Sequence, residues 1–326
     1  MLRVGPAAAV VLALFAGGCS LTPSKSGGPG ATHASWPADV PPRIELADTP
    51  FFPQDDYQCG PAALATLLGA SGIDAPPADL VDEVYVPARK GSLQTELLAA
   101  TRQRHRIPYV LEPRFDALVH ELAGGRPVLV LLNLGVRSWP IWHYAVVIGY
   151  ERDAGRLLLR SGTTPRARLS LRRFRGAWAR ADDWGFVALQ PGELPQAATP
   201  ARYAAAVADY ERIDPRAAAL AYSAGTARWP DEPLLRFGAA NTLLAQGDRA
   251  GAEEALHELL LLAPANVAAR NNYAELLSQR GCRDAALAAI AVAQAEARGT
   301  PLAAAIETTA NEIAARAADP VAPCPH

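Results

Sequence analysis

A thiol attacks carbonyl carbon once its proton is gone, and this 326-residue chain sets one cysteine where that chemistry is favoured. The stretch is Phe52-Pro53-Gln54-Asp55-Asp56-Tyr57-Gln58-Cys59-Gly60-Pro61-Ala62-Ala63-Leu64-Ala65. Gly60 and Pro61 mark a bend, and Pro61 suits a first helical turn, where its missing N–H would be an orphan anyway. Behind them Ala62, Ala63, Leu64, Ala65, Leu67 and Leu68 are good helix formers, closed by Gly69. The pattern predicts a loop turning directly into a buried helix with Cys59 at its N-terminus. Free N–H groups and the positive end of the helix dipole there favour a thiolate. Gln54, five residues upstream, brings a side-chain amide. With the Cys59 backbone N–H it makes two donors for an oxyanion. A small buried thiol capping a helix is the plain alternative, and a base decides between the two readings.

The base to weigh is His143, which begins the strand-like run Ile141-Trp142-His143-Tyr144-Ala145-Val146-Val147-Ile148-Gly149-Tyr150. The other five histidines read blandly: His33 in a polar tether, His105 and His120 on or near helices, His257 in a later helix, and His326 at the C-terminus. A lone histidine ending a core strand is more often structural. His143 differs in sharing a domain with Cys59, beyond an intervening helical layer.

The elements that must bring these residues together run from about Trp36 to Pro195. After the Cys59 helix, Pro76-Pro77 breaks the chain and residues 78–84 suit a short helix. A clear helix follows over residues 93–104, with Ser92 as its N-cap and Leu93, Leu97 and Leu98 on one face. Residues 115–123 form another, ended by Gly124-Gly125. The pattern then switches: residues 127–134 are nearly all Val and Leu, as in a strand buried on both faces. Strands follow over 142–150, 156–160 and 184–189, with a hairpin composition at residues 151–155. Helices first and an antiparallel sheet second make an α+β domain.

The motif Gln-x4-Cys-Gly-Pro-Ala at a helix start, then His-Tyr-x-Val-Val-x-Gly-Tyr 84 residues after Cys59, resembles the bacteriocin-processing peptidases, papain-like cysteine enzymes that cut after double-glycine leaders. The resemblance covers roughly residues 51–189. It implies Cys59 as nucleophile, His143 as the base that activates it and later protonates the leaving group, and Gln54 as oxyanion donor. That glutamine commonly stands six residues before the cysteine in the family, and here the gap is five. Such peptidases also carry an Asp on the strand after the histidine. The matching stretch is Leu159-Arg160-Ser161-Gly162-Thr163, which has no carboxylate. Ser161 can accept the histidine's N–H but does not stabilise imidazolium as an anion does, and Asp153 lies at the far end of the strand. A diad is implied and a triad is not.

The chain begins with Met1-Leu2-Arg3, an apolar run too short to span a bilayer, and small residues before Cys19. This resembles a bacterial lipoprotein signal, implying residues 1–19 as signal, with Cys19 the acylated first residue of the mature chain. Ser20 goes with outer-membrane sorting, so the expected place is the cell envelope, lipid-anchored and facing the periplasm. Residues 20–35 are rich in Ser, Gly, Pro and Thr and read as a tether. Half the residues are hydrophobic, a fifth are charged and the net charge is −2, which argues against a nucleic-acid partner. No Cys/His spacing suits zinc, and no metal or cofactor is implied.

After a linker over residues 191–199 the chain turns Ala-rich and periodic. Pro230 and Pro264, Leu243 and Leu277, Gly247 and Gly281, and Ala255 and Ala289 are each 34 residues apart. That period resembles tetratricopeptide repeats, which implies a protein partner for residues 196–318, with residues 301–317 as a capping helix and 319–326 as a tail. Cys282 and Cys324 fall at the same end of such a stack, so a disulfide between them is expected. The expected whole is therefore an α+β papain-like peptidase domain over 36–195, acting on a peptide or protein, then an all-α helical-repeat domain. The alternatives are an acyltransferase on the same fold and a non-catalytic scaffold.

Overall fold

The computed structural model describes residues 36–54, 58–316 and 324. The expected signal, Cys19 and the tether lie outside the described residues, as does the tail apart from Cys324. By contacts the chain divides between Pro230 and Asp231, not at the linker over 191–199.

The first unit opens with β1 (Arg43–Glu45) and the helix α1 (Cys59–Ala70). Every residue of α1 from Gly60 to Leu68 is buried, as a helix apolar on all sides requires. Next come α2 (Pro77–Val84), then β2 (Tyr85–Val86) and β3 (Gly91–Ser92), which pair as a small hairpin. Then follow α3 (Gln94–Gln103), β4 (Ile107–Val110), α4 (Phe115–Ala123), β5 (Val128–Asn133), β6 (Trp142–Glu151), β7 (Arg156–Ser161), β8 (Thr164–Ser170), α5 (Leu171–Ala179) and β9 (Gly185–Leu189). The main sheet is antiparallel in the order β4-β9-β5-β6-β7-β8. The short β1 joins β6 at Gly149–Glu151, beyond the end of β5. A Cβ on Gly149 would lie 2.1 Å from the Ile44 carbonyl oxygen, so only glycine lets β1 close there.

Ser92 is not the cap of α3, as the sequence suggested. It pairs with Tyr85 in β3, and the helix starts later, with Leu93 at the N-cap and no side-chain cap. Strand pairing holds the Ser92 backbone, which leaves its hydroxyl for the cleft described below. The long apolar runs behave as read. Leu129, Tyr144, Val146, Ile148 and Leu158 pack in one core with Leu64, Leu67 and Leu68 of α1 and with Leu80 and Leu97. Val128, Val130 and Leu132, alternating with these along β5, are buried too, and α4 and α5 pack on that strand. The unit then continues into α6 (Pro200–Glu211) and α7 (Pro215–Arg228). Tyr203 of α6 donates to the Glu193 and Ala221 carbonyls, and Asp209 meets Arg102 of α3 at 2.8 Å.

The second unit is helical: α8 (Pro233–Gln246), α9 (Arg249–Leu262), α10 (Val267–Gln279), α11 (Arg283–Ala297) and α12 (Ala303–Ala315). Successive helices pack on one another. Equivalent points recur every 34 residues. Glu232 and Asn266 cap α8 and α10 with their side chains, and Gly247 and Gly281 both take the left-handed conformation that ends a helix. Cys282 and Cys324 form the expected disulfide, with their Cα atoms 5.5 Å apart. No described helix is long and apolar enough to cross a membrane.

Candidate active site

The site is built where α1 meets the first residues of β6. Cys59 is the first residue of α1, and the N-cap Gln58 adds no side-chain hydrogen bond, so the first N–H groups of the helix stay open. The helix start lies against β3: a Cβ on Gly60 would fall 2.0 Å from Ser92 Oγ. Glycine at that position is therefore what allows the thiol-bearing turn to close on the small hairpin. Across from it, His143 stands on β6, paired with Leu132 of β5. Both line one cleft of about 900 Å³, together with Gln54, Ser92, Leu131, Trp142 and Gly162. All three residues singled out from the sequence thus face the same cavity.

Gln54 is held by its backbone N–H, which donates to the Gly162 carbonyl at 3.2 Å. Its Nε2 points at the Tyr144 carbonyl, 3.5 Å away, the outer limit for a hydrogen bond. The amide is thus close to the sulfur's surroundings and only weakly committed. His143 Nε2 lies 2.8 Å from Ser161 Oγ. Ser161 occupies the position where a carboxylate was missed in the sequence, and its hydroxyl fixes one ring nitrogen, leaving Nδ1 for another partner.

The electrostatics differ from the sequence expectation. Burial pushes the Cys59 thiol up, and the backbone N–H groups of Tyr144, Gly60 and Cys59 itself oppose the shift without cancelling it. Burial likewise lowers the pKa of His143. Desolvation disfavours both charged forms and outweighs the helix terminus. Both directions favour thiol and neutral imidazole over thiolate and imidazolium. Among the described residues no group of His, Cys, Asp and Glu is placed to hold a metal ion.

Two participants escaped the sequence. Tyr144 contributes its backbone twice, with the N–H toward the sulfur and the carbonyl toward Gln54. Its place directly after His143 was the available signal. Ser92 lines the cleft with a buried hydroxyl that has no hydrogen-bond partner, while Tyr144 Oη donates to the Ser92 carbonyl at 3.3 Å. No sequence signal separates that role from a helix cap.

Residues 46–181, fewer than half of the chain, match the model of the family described as "Peptidase_C39 like family". No curated protein matches the chain. Among solved structures, a C39-like peptidase from Bacillus anthracis aligns at 15% identity with a TM-score of 0.39, over 45% of this chain and 98% of that one. The peptidase domain of Streptococcus ComA, a bi-functional ABC transporter involved in quorum sensing, aligns at 20% identity with a TM-score of 0.37, over 44% and 98%. The family match makes the sheet-bearing part C39-peptidase-like, and a helical region follows it in the chain.

Proposed function

We propose that the chain is a cysteine peptidase that cleaves a peptide bond through a thioester on Cys59. The observation that carries this reading is the shared cleft: a helix-terminal cysteine and a histidine whose Nε2 is already occupied by Ser161 line the same cavity. His143 Nδ1 takes the thiol proton as sulfur attacks the substrate carbonyl. The Cys59 N–H and Gln54 Nε2, swung from its long contact with Tyr144, stabilise the oxyanion. As the C–N bond breaks, the imidazolium returns its proton to the departing amine. Water then attacks the thioester, giving its proton to His143, and the thiol is regenerated as the C–S bond breaks.

Because the resting pair is neutral, proton transfer accompanies attack instead of preceding it. Hydrolysis separates the enzyme reading from the scaffold reading, and alkylation tests the neutral resting pair. Cys59 is alkylated with iodoacetamide across pH, with and without His143→Ala, beside hydrolysis of an unfolded protein substrate. Alkylation should lag that of a free thiol, whose pKa is about 8.5. Hydrolysis should vanish in Cys59→Ala and fall by about 10²–10⁴ in His143→Ala. Hydrolysis that survives Cys59→Ala sinks the proposal.

The remaining assignments belong to the same proposal. Residues 196–318 act as a tetratricopeptide-like surface for a protein partner, a reading supported by the 34-residue recurrence of caps and left-handed glycines. The chain is exported and anchored by lipid on Cys19, a reading supported by the N-terminal sequence and by the Cys282–Cys324 bridge, a bond of oxidising compartments.

A further inference from the structure

The turn between β5 and β6 carries an apolar surface that extends beyond the catalytic cleft. Leu134, Val136, Trp139, Ile141 and Trp142 are all exposed within nine residues, Trp139 at 77% and Val136 at 60%. The turn is firmly built. Leu134 N–H donates to the Ile141 carbonyl at 2.8 Å, and Val136 and Trp139 exchange backbone hydrogen bonds at 3.2 and 3.1 Å. Buried Asn133 accepts the N–H groups of Gly135 and Ile141 on its Oδ1, while Arg180 forks onto the Asn133 carbonyl. A Cβ on Gly135 would lie 2.3 Å from the Trp139 carbonyl, so the two arms meet backbone to backbone. The fold therefore commits a buried amide and a guanidinium to holding large apolar side chains out in water. A patch presented that way marks an interaction surface.

We propose that this turn docks on the surface of a lipid bilayer and sets the mouth of the cleft there. Pro140, Ile141 and Trp142 belong to both the turn and the cleft wall, whereas Val136 and Trp139 stand outside the cleft lining. Exposed tryptophan beside an exposed arginine, Arg137, among Leu, Val and Ile is the composition that partitions into a membrane interface. The chain length before the described residues fits the same occupant. Trp36 packs on Tyr150, at the end of β6 remote from Trp142, and β6 has ten residues, a span of about 33 Å. The sixteen residues from Ser20 to Ser35 reach at most about 55 Å from an acylated Cys19. The inference rests here on the anchor proposed above, which lets the far end of the strand touch the bilayer, and at that tether length even weak docking holds the orientation. Polypeptides lying at the membrane surface are then the substrates nearest the cleft.

The test uses the chain from Ser20 onward without its acyl group, which keeps every described residue. It is sedimented with vesicles of phosphatidylethanolamine and phosphatidylglycerol. The chain should cosediment with a blue shift of tryptophan emission, and Val136→Ser with Trp139→Ser should lower partitioning by about tenfold or more at an unchanged melting temperature. Cys59→Ala should bind as the unsubstituted chain does, so docking and catalysis fail separately. Absence of binding by the unsubstituted chain, or equal binding by the double variant, overturns the proposal. So does a dimer that the double variant dissolves, which would make the patch a self-contact. A double variant that keeps vesicle binding but loses affinity for unfolded casein would make it a polypeptide-binding surface, and overturns it as well.

Discussion

Two histidines in the sheet-bearing unit show what a partner does to an imidazole. His120, on α4, has Nδ1 against the Asp116 carbonyl at 2.7 Å and Nε2 against the Asp39 carboxylate at 3.1 Å. Burial works against its proton, yet the hydrogen bond to Asp39 and the further contacts win, and its pKa is raised. His143 has a hydroxyl on Nε2 at a shorter distance, 2.8 Å, and its pKa is lowered by burial. Nothing anionic opposes the desolvation. The histidine with the carboxylate lies on the protein's flank, and the one in the cleft has none. A cleft built this way keeps its base unprotonated and ready to accept.

The largest effect should come from giving His143 the partner that His120 has. Ser161→Asp sets a carboxylate on Nε2, stabilises imidazolium, and lets Cys59 lose its proton at lower pH. Alkylation of Cys59 near neutral pH should then speed up by about tenfold or more, since each unit of pKa is a factor of ten. An alkylation profile identical to that of the unsubstituted chain would mean that burial, and not the partner, separates the two histidines.

A smaller effect is expected from removing the hydroxyl. Ser161→Ala leaves Nε2 without its acceptor in a largely buried site, costing about 1–3 kcal/mol for the unsatisfied group and freeing the ring to change tautomer. Nitrogen NMR of His143 should change from one tautomer, protonated on Nε2, to a mixture, with slower hydrolysis. A single unchanged tautomer would show that something other than Ser161 orients the ring.

Cys59 and His143 were legible because residue type and order carry them: a thiol before a helix-forming run, and a histidine opening a strand. Ser161 was reached through the family resemblance, in the stretch where an Asp was expected, and the structure places it on Nε2. The thiolate expected from the helix terminus was not realised, because burial is a property of the packed cleft and no residue encodes it locally. Strands β1, β4 and β8 were missed for different reasons. The first two are only three and four residues long, and β8 reads Thr-Pro-Arg-Ala-Arg-Leu-Ser, a polar run that becomes a strand through pairing with β7. Helices α6 and α7 were read correctly as helices, and Asp214 caps α7 34 residues before Asp248 caps α9. Their packing with the sheet was invisible, because Tyr203, Asp209 and Asp214 look like ordinary helix residues until Glu193, Arg102 and His105 are beside them.

The smallest effect tests the other half of the comparison. His120 has a folded pKa above its ordinary 6.5, so its contribution to stability is complete below that value and is lost as pH rises through the folded one. Asp39 has its pKa lowered from 3.8, chiefly by the hydrogen bond to His120, so its contribution is present above 3.8 and is lost as pH falls through the folded value. The pair therefore stabilises the fold most between those limits. His143 has the opposite slope: its folded pKa lies below 6.5, the unfolded chain binds the extra proton, and stability falls as pH drops through that region. Asp39→Asn should lower the melting temperature more at about pH 5 than at about pH 8, because the His120 contribution is complete below 6.5 and fades as pH rises through its folded value. The change should be small, because the Asp39 side chain is 72% exposed and solvent screens it. With Asp39 removed, the His120 share of the pH dependence should shrink, and the His143 share, which rises with pH, should weigh more. An equal drop at both pH values would mean that Asp39 stabilises through packing and not through the His120 proton.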